Sequence, residues 1–299
     1  MDFINPKIDF AFKKIFGDDQ HKDVLISFLN AILYEGRPTI QDLQILDPYN
    51  APKISGLKDT FLDVRAKLVT GAHVIIEMQV LAVEGFGKRV LYNVAKTYSA
   101  QLKPKADYTG LNPVIGLTIT DFEMFSDAEV PGVLSRFGLY DQNNGVEYPI
   151  NDIELVFVEL PKFKKDLAAL ETLTDKWLYF LRYASQLDDV PLVMKGEPAI
   201  EQAFEIANRV NLSQEELDML EQKEFFVRDM HRLVEVAERK ATERGIERGI
   251  ERGIERGRKE KAIEIATQFL DVVSDDIISE KTGLTLDEIR TLRQSKTAG

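Results

Sequence analysis

Two alternating stretches lying close together constrain this chain more than any other feature. Leu62, Val64, Ala66 and Leu68 alternate with Asp63, Arg65 and Lys67; Val74, Ile76, Met78 and Val80 then alternate with Ile75, Glu77, Gln79 and Leu81. Side chains on a strand point to opposite faces with a period of two, so both stretches read as strands of one hairpin. A three-residue loop, Val69-Thr70-Gly71, puts Gly71 at the left-handed position such loops favour. Leu68 then pairs with Ala72, and Asp63 falls opposite Glu77, with Cβ atoms about 5 Å apart on one face. A two-residue Thr70-Gly71 turn instead sets Asp63 across from Met78, and the two acids part to opposite faces. Register decides whether the hairpin carries a site.

In the first register two carboxylates repel unless a cation lies between them. The chain has no cysteine and three histidines, His21, His73 and His231. Disulfides, thiolate metal sites and a cysteine nucleophile are excluded, and an imidazole-rich zinc site has little to draw on. Carboxylate oxygens suit Mg²⁺ or Mn²⁺. Gln79 faces the same way as Glu77 and could orient a water or a phosphate, but it brings no charge. The same alternation also describes the solvent face of an ordinary antiparallel hairpin.

Segment 85–106 contains no acid although the chain has a net charge of −12, and it carries Lys88, Arg89, Lys96, Lys103 and Lys105. Arg89, Tyr92, Lys96 and Lys103 recur at helical spacing and share a stripe. Leu91, Val94, Ala95, Tyr98 and Leu102 make the expected core-facing side. A basic stripe with a tyrosine, directly after a two-carboxylate strand, suits a phosphodiester backbone. A solvated helix face has the same composition. The acidic total argues against a protein that coats DNA with general positive charge, while leaving room for a local basic groove.

A length of 299 residues suits about two domains,. Helical periodicity at 18–33, the hairpin, a helix over 85–103 and apolar runs at 114–119 and 153–160 predict an α/β first half. Strand 74–81, helix 86–103 and strand 114–120 form a crossover unit. Beyond residue 165 only helices are expected, over 166–187, 197–210 and 213–239, with Ser213 and Glu216 at capping-box spacing. The expected division is 1–162, a helical region 163–240, a repeat segment 241–262 and a small helix-turn-helix-like module 263–299. Charged residues interrupt the N-terminal segment, and no stretch of about 18 apolar residues occurs, so a cytoplasmic protein with no membrane span is expected.

Residues 243–258 hold Glu-Arg-Gly-Ile three times, then Glu-Arg-Gly-Arg. On a helix this lines up Gly245, Gly249, Gly253 and Gly257 beside Ile246, Ile250 and Ile254. Each interior glycine costs about 1 kcal/mol against alanine, so such a helix needs a partner. Homo-oligomerisation through the repeat is one reading; a solvated linker is the other. In the last segment, Asp287 and Glu288 stand where a DNA-reading helix would meet phosphates, so a small packing module is the alternative to DNA binding there.

The blocks DFAFKKIFG, FLDVRAKLVTGAHVIIEMQ, GKRVLYNVAKTYSAQL and YTGLNPVIGLTITDFEMF, in this order, resemble the PD-(D/E)XK nuclease family transposases, also called recombination-promoting nucleases (Rpn). The resemblance covers about residues 1–160, and the repeat and KTGLTLDEI are similar to C-terminal regions of that family. It implies a restriction-endonuclease-like core, a mixed sheet flanked by helices, followed by an all-α C-terminal region. It implies Mg²⁺-dependent cleavage of DNA, tied to recombination, mobile elements or phage defence. Asp63 matches the metal-binding aspartate and Glu77 the second metal ligand. Gln79 stands where the wider superfamily has lysine, which leaves Lys58, Arg89 or a second ion to stabilise developing charge. Arg89, Tyr92, Tyr98 and Gln101 fall in the helix where related nucleases touch substrate; with Lys58, and with Lys96 of the basic stripe, Arg89, Tyr92 and Gln101 are the expected DNA-binding residues. Asp9 and Lys13 match the N-terminal block, where a third acid sometimes completes the site. A catalytically degenerate DNA-binding or protein-assembly module on the same fold is the alternative.

Overall fold

The hairpin adopts the three-residue loop. In the computed structural model, which describes residues 2–50, 60–102, 105 and 107–297, Val64 pairs with Ile76 and Lys67 with His73. Leu68 N donates to Ala72 O at 2.8 Å, and Gly71 has φ of 93°. The same register continued by one residue brings Asp63 opposite Glu77.

In chain order the elements are α1 (Asp9–Phe16), α2 (Lys22–Tyr34), β1 (Leu43–Ile45), β2 (Tyr49–Asn50), β3 (Thr60–Phe61), β4 (Val64–Leu68), β5 (His73–Gln79), α3 (Phe86–Ser99), β6 (Val114–Thr120), β7 (Leu134–Phe137) and β8 (Ile153–Glu159). Then come α4 (Leu173–Tyr183), α5 (Pro198–Ala207), α6 (Gln214–Phe269), α7 (Asp275–Thr282) and α8 (Leu286–Thr297), with short 3₁₀ turns between. Six strands form one sheet in the order β1-β4-β5-β6-β8-β7; β2 and β3 pair separately. β5, β6 and β8 run parallel, and the other neighbours in the sheet run antiparallel.

The sheet is covered on both faces. On one, Val74, Ile76 and Met78 of β5 meet Phe12, Phe16, Phe28, Trp177, Phe180 and Phe204 in one core that runs on to Leu220. On the other, α3 lays Val90 and Val94 over Ile75, Val114 and Phe157. All of β6 is buried, as a central parallel strand between two layers requires,. Gly116 of β6 lies under α3: a Cβ there would fall 2.5 Å from Val94 Cγ2. Asn30 of α2 ties down the chain that leads to β1, giving a hydrogen bond to Ile40 O at 2.9 Å and taking one from Ile40 N at 2.8 Å, all buried.

The mixed sheet flanked by helices is the restriction-endonuclease-like core that the resemblance implied. Helix 85–103 ends earlier, at Ser99, and helix 213–239 runs on to Phe269. The Ser213–Glu216 capping box forms, with Ser213 N to Glu216 Oε2 at 2.9 Å and Glu216 N to Ser213 Oγ at 3.3 Å. Strands β1 and β7 and helix α1 were not anticipated as elements. The core face expected for α3 is corrected: Leu91 and Ala95 are exposed, and the buried stripe runs through Phe86, Val90, Asn93, Val94, Lys96 and Thr97. Three polar residues, Asn93, Lys96 and Thr97, complete this stripe, which counting apolar positions misses. The compact units are Met1–Met230 and His231–Gly299, because the helices after β8 bury Trp177, Phe180 and Phe204 in the same core as α1 and α2.

In the second unit Ala266, Leu270, Ile278, Leu284 and Ile289 form a small core, with Gly283 at φ of 75° turning α7 into α8. Lys259 lies 2.7 Å from Glu288 and, with the Thr285 cap, lowers its carboxyl to about 2. The repeat is part of α6. Ile246, Ile250 and Ile254 are 57%, 58% and 52% exposed, and a Cβ on any of its four glycines would meet nothing within 4 Å among the described residues. No helix among the described residues is long and apolar enough to cross a membrane.

Candidate active site

The carboxyl end of β5 gathers the chemistry. Glu77 and Gln79 share the face under α3, opposite the parity of Val74, Ile76 and Met78. Asp63 sits at the bend before β4, beyond the last backbone pair, and its carboxylate continues the ladder: Met78 N donates to Asp63 Oδ2 at 2.7 Å. Asp63 and Glu77 side chains are 12% and 13% exposed. Burial pushes the Asp63 carboxyl above the usual aspartate range, against the Met78 amide and Lys13, which lower it. Burial raises Glu77 too; Arg89 opposes this, and the neighbouring Asp63 charge adds to it,.

Among the described residues each acid has one cation, and the two come from opposite faces of the sheet. Lys13 Nζ of α1 lies 3.2 Å from Asp63 Oδ1. Arg89 Nη2 of α3 lies 3.0 Å from Glu77 Oε1. The same Nη2 donates to Gln79 Oε1 at 2.7 Å, and the Gln79 amide nitrogen donates to Leu81 O at 2.8 Å. Gln79 is therefore occupied in holding Arg89, whose guanidinium also stands 5.0 Å from the Phe86 ring.

Asn93 was not anticipated. One helical turn after Arg89, it is 2% exposed, and its amide nitrogen reaches Glu77 Oε2 at 3.4 Å. Its Oδ1 is buried without a hydrogen-bond partner among the described residues. The available signal was an asparagine, a poor helix former, in a helix interior. Two largely buried carboxylates offer an oxygen donor pair, which fits a hard divalent cation that keeps several waters,. Among the described residues no group of three or more acid or imidazole side chains gathers to hold a metal.

Asp9 lies close enough to raise Asp63 and is turned to Lys223 of α6 at 3.4 Å, away from a direct place beside the two acids. Tyr92 is half-buried, its hydroxyl enclosed without a hydrogen-bond partner among the described residues. Lys96 is 5% exposed, on the buried side of α3 rather than on an open stripe. Gln101 belongs to the other end of the crossover: it accepts from Asn112 N at 2.9 Å and donates to Asn112 O at 2.8 Å, where β6 begins. Lys58 lies outside the described residues.

The mixed six-stranded sheet with a parallel crossover and flanking helices is a core of the PD-(D/E)XK nuclease type, and Asp63, at the bend before β4, and Glu77 of β5 lie at one end of its central hairpin. The family model for PD-(D/E)XK nuclease family transposases matches residues 6–237, and the chain belongs to that family. The match extends past the sheet into α6, so the helices that complete the main core belong to the family unit. No curated protein and no solved structure matches the chain.

Proposed function

We propose that the protein is a metal-dependent DNA endonuclease acting in recombination, mobile-element traffic or phage defence. The observation that carries this reading is the hairpin register that sets Asp63 opposite Glu77, near enough for the Asp63 charge to raise Glu77, with family membership beside it. Asp63 and Glu77 would hold Mg²⁺ or Mn²⁺, with the Asn93 amide nitrogen set against Glu77 Oε2. Such an ion, when bound, makes a water acidic enough to supply hydroxide and polarises a phosphate oxygen. The chain does the rest. Burial keeps bulk water from the acids, Met78 N fixes the Asp63 carboxylate, and Gln79 holds Arg89 beside Glu77. Arg89 carries the positive charge that Gln79 lacks, toward the phosphoryl oxygens. Lys13 and Lys223 border the site on the α1 side, where a DNA backbone would run. DNA is the proposed partner, and the cytoplasm the proposed place of action.

Purified protein is expected to cut duplex DNA with Mg²⁺ or Mn²⁺ and to stop when the metal is chelated. Asp63→Asn and Glu77→Gln should each lower cleavage by at least about 100-fold, the scale on which positioned catalytic groups contribute. Undiminished cutting by either variant overturns the assignment. The commitment of both ends of the Gln79 amide favours one second reading, a degenerate DNA-binding module. Salt-sensitive DNA binding with no cleavage at any Mg²⁺ or Mn²⁺ level would select it.

We also infer that the repeat pairs with a second copy of this chain. Its isoleucines are more than half exposed, its glycines leave room for close approach, and its Glu and Arg rows are mutually complementary,.

A further inference from the structure

We propose that Lys13 and Arg89 are exchangeable counter-ions: each neutralises one site carboxylate in the metal-free protein and passes to a DNA phosphate when a divalent cation takes that carboxylate. The inference rests on the nuclease reading above.

The geometry is that of two removable plugs. Asp63 and Glu77 are 12% and 13% exposed, while the cations against them, Lys13 and Arg89, are 41% and 43% exposed. The cations therefore stand between the acids and solvent, on long flexible side chains from separate helices. The four charges cancel as they stand. A divalent ion on the two acids turns the same cluster to a net charge of +2, and both side chains then face a like charge of greater size. The nearest stabilising place for them is an anion on the solvent side, which a phosphodiester supplies.

Arg89 is built for the transfer. Gln79 Oε1 accepts from it at 2.7 Å, and the Phe86 ring stands 5.0 Å from its guanidinium. Both contacts are neutral, so they survive when Glu77 is given up to a metal. A glutamine two residues after the second acid keeps the arginine aimed at the site; a lysine in that place would repel it. On the other side, Asp9, one helical turn before Lys13 and in the field of Asp63, receives the ammonium end of Lys223 at 3.4 Å. That neighbouring acid is already matched and does not offer Lys13 an alternative resting place. Metal and DNA binding are then positively coupled, and the coupling is reciprocal.

Two measurements test this on the full chain, with Lys13→Ala, Arg89→Ala and the double variant. Both residues are exposed enough for the variants to fold, and circular dichroism checks that they do. First, Mn²⁺ is titrated calorimetrically without DNA: removal of a counter-ion is expected to tighten Mn²⁺ binding by about 5-fold or more, the lower end of typical coupling. Second, affinity for a short duplex is measured against salt, in chelator and in Ca²⁺. The wild-type salt slope should steepen when Ca²⁺ is added, and each variant should lose about 0.9 of that steepening per cation removed, the slope of one phosphate contact. Unchanged or weakened Mn²⁺ binding in the variants overturns the proposal, as does a Ca²⁺-dependent steepening that survives in the double variant. A wild type that cuts DNA with metal but gives either result leaves the nuclease reading standing; loss of that reading follows only from the Asp63 and Glu77 variants.

Discussion

Replacing Asp63 by asparagine and by alanine separates the two tasks of its carboxylate. Oδ2 accepts a hydrogen bond from Met78 N at 2.7 Å, and Oδ1 meets Lys13 at 3.2 Å. Asparagine keeps an acceptor for the Met78 amide and removes the charge. Alanine removes both and strands an amide in a residue that is 6% exposed. An unsatisfied buried amide costs about 1–3 kcal/mol; the ion pair, with its lysine end open to solvent, contributes about 0–1 kcal/mol. At about 2–4 °C per kcal/mol for a unit of this size, alanine should lower Tm by roughly 2–12 °C relative to asparagine. The charge works in the opposite direction. Burial raises the carboxyl group above its unfolded value, so it favours the folded state at low pH and loses that contribution as pH rises through the folded value. Near neutral pH the buried charge is a cost. The asparagine variant should melt at or above wild type there, and its advantage should shrink as pH falls from neutral toward the raised carboxylate range. Thermal melts in chelator across that range read both effects. Equal melting of the alanine and asparagine variants refutes the hydrogen-bond argument, and an asparagine advantage that grows as pH falls refutes the burial argument.

A change remote from the acids should affect stability alone: Asn30→Leu leaves the buried Ile40 N–H and C=O without partners, a cost of about 2–6 kcal/mol at 1–3 kcal/mol each. Denaturant unfolding should show this loss, with Mn²⁺ affinity per folded molecule unchanged. For the repeat, the full chain should sediment as a dimer or larger, and Ile246→Glu, Ile250→Glu and Ile254→Glu together should return it to monomer mass; an unchanged mass would remove the repeat from assembly.

The hairpin was legible because its period and its glycine each restrict the same thing. Alternation set the faces and Gly71 marked the turn, but two loop lengths remained open; only the observed pairing of Leu68 with Ala72 selects the register that places Asp63 opposite Glu77. The helices at 22–34 and after Ser213 were legible for similar reasons, one from its apolar stripe and the other from its cap. Strands β1 and β7 were not. Each is three or four residues long, and a short edge strand takes its identity from the neighbour it pairs with. The face of α3 was misjudged because Asn93 and Lys96 are buried there despite their polarity, for reasons that lie in the residues facing them. Gln79 could be placed beside Glu77 from the sequence, but its partner could not. Arg89 comes from a helix ten residues on, and only the packing of that helix brings the guanidinium to the amide. The division near Pro161 followed the disappearance of strands; sequence could not show that Trp177, Phe180 and Phe204 share a core with α1 and α2.

Gly116 touches neither acid and neither cation. The space above it is filled by Val94 Cγ2, so near that even one added carbon would stand 2.5 Å away. The spacing between α3 and the sheet is thus set by a side chain that is not there. Arg89 and Asn93 reach Glu77 from that helix, and their reach depends on this spacing. Any larger residue at 116 lifts the helix like a shim under a lever, and the displacement appears at the arginine rather than at the glycine. The fine adjustment of this site lies in the middle of a strand that carries none of its chemistry.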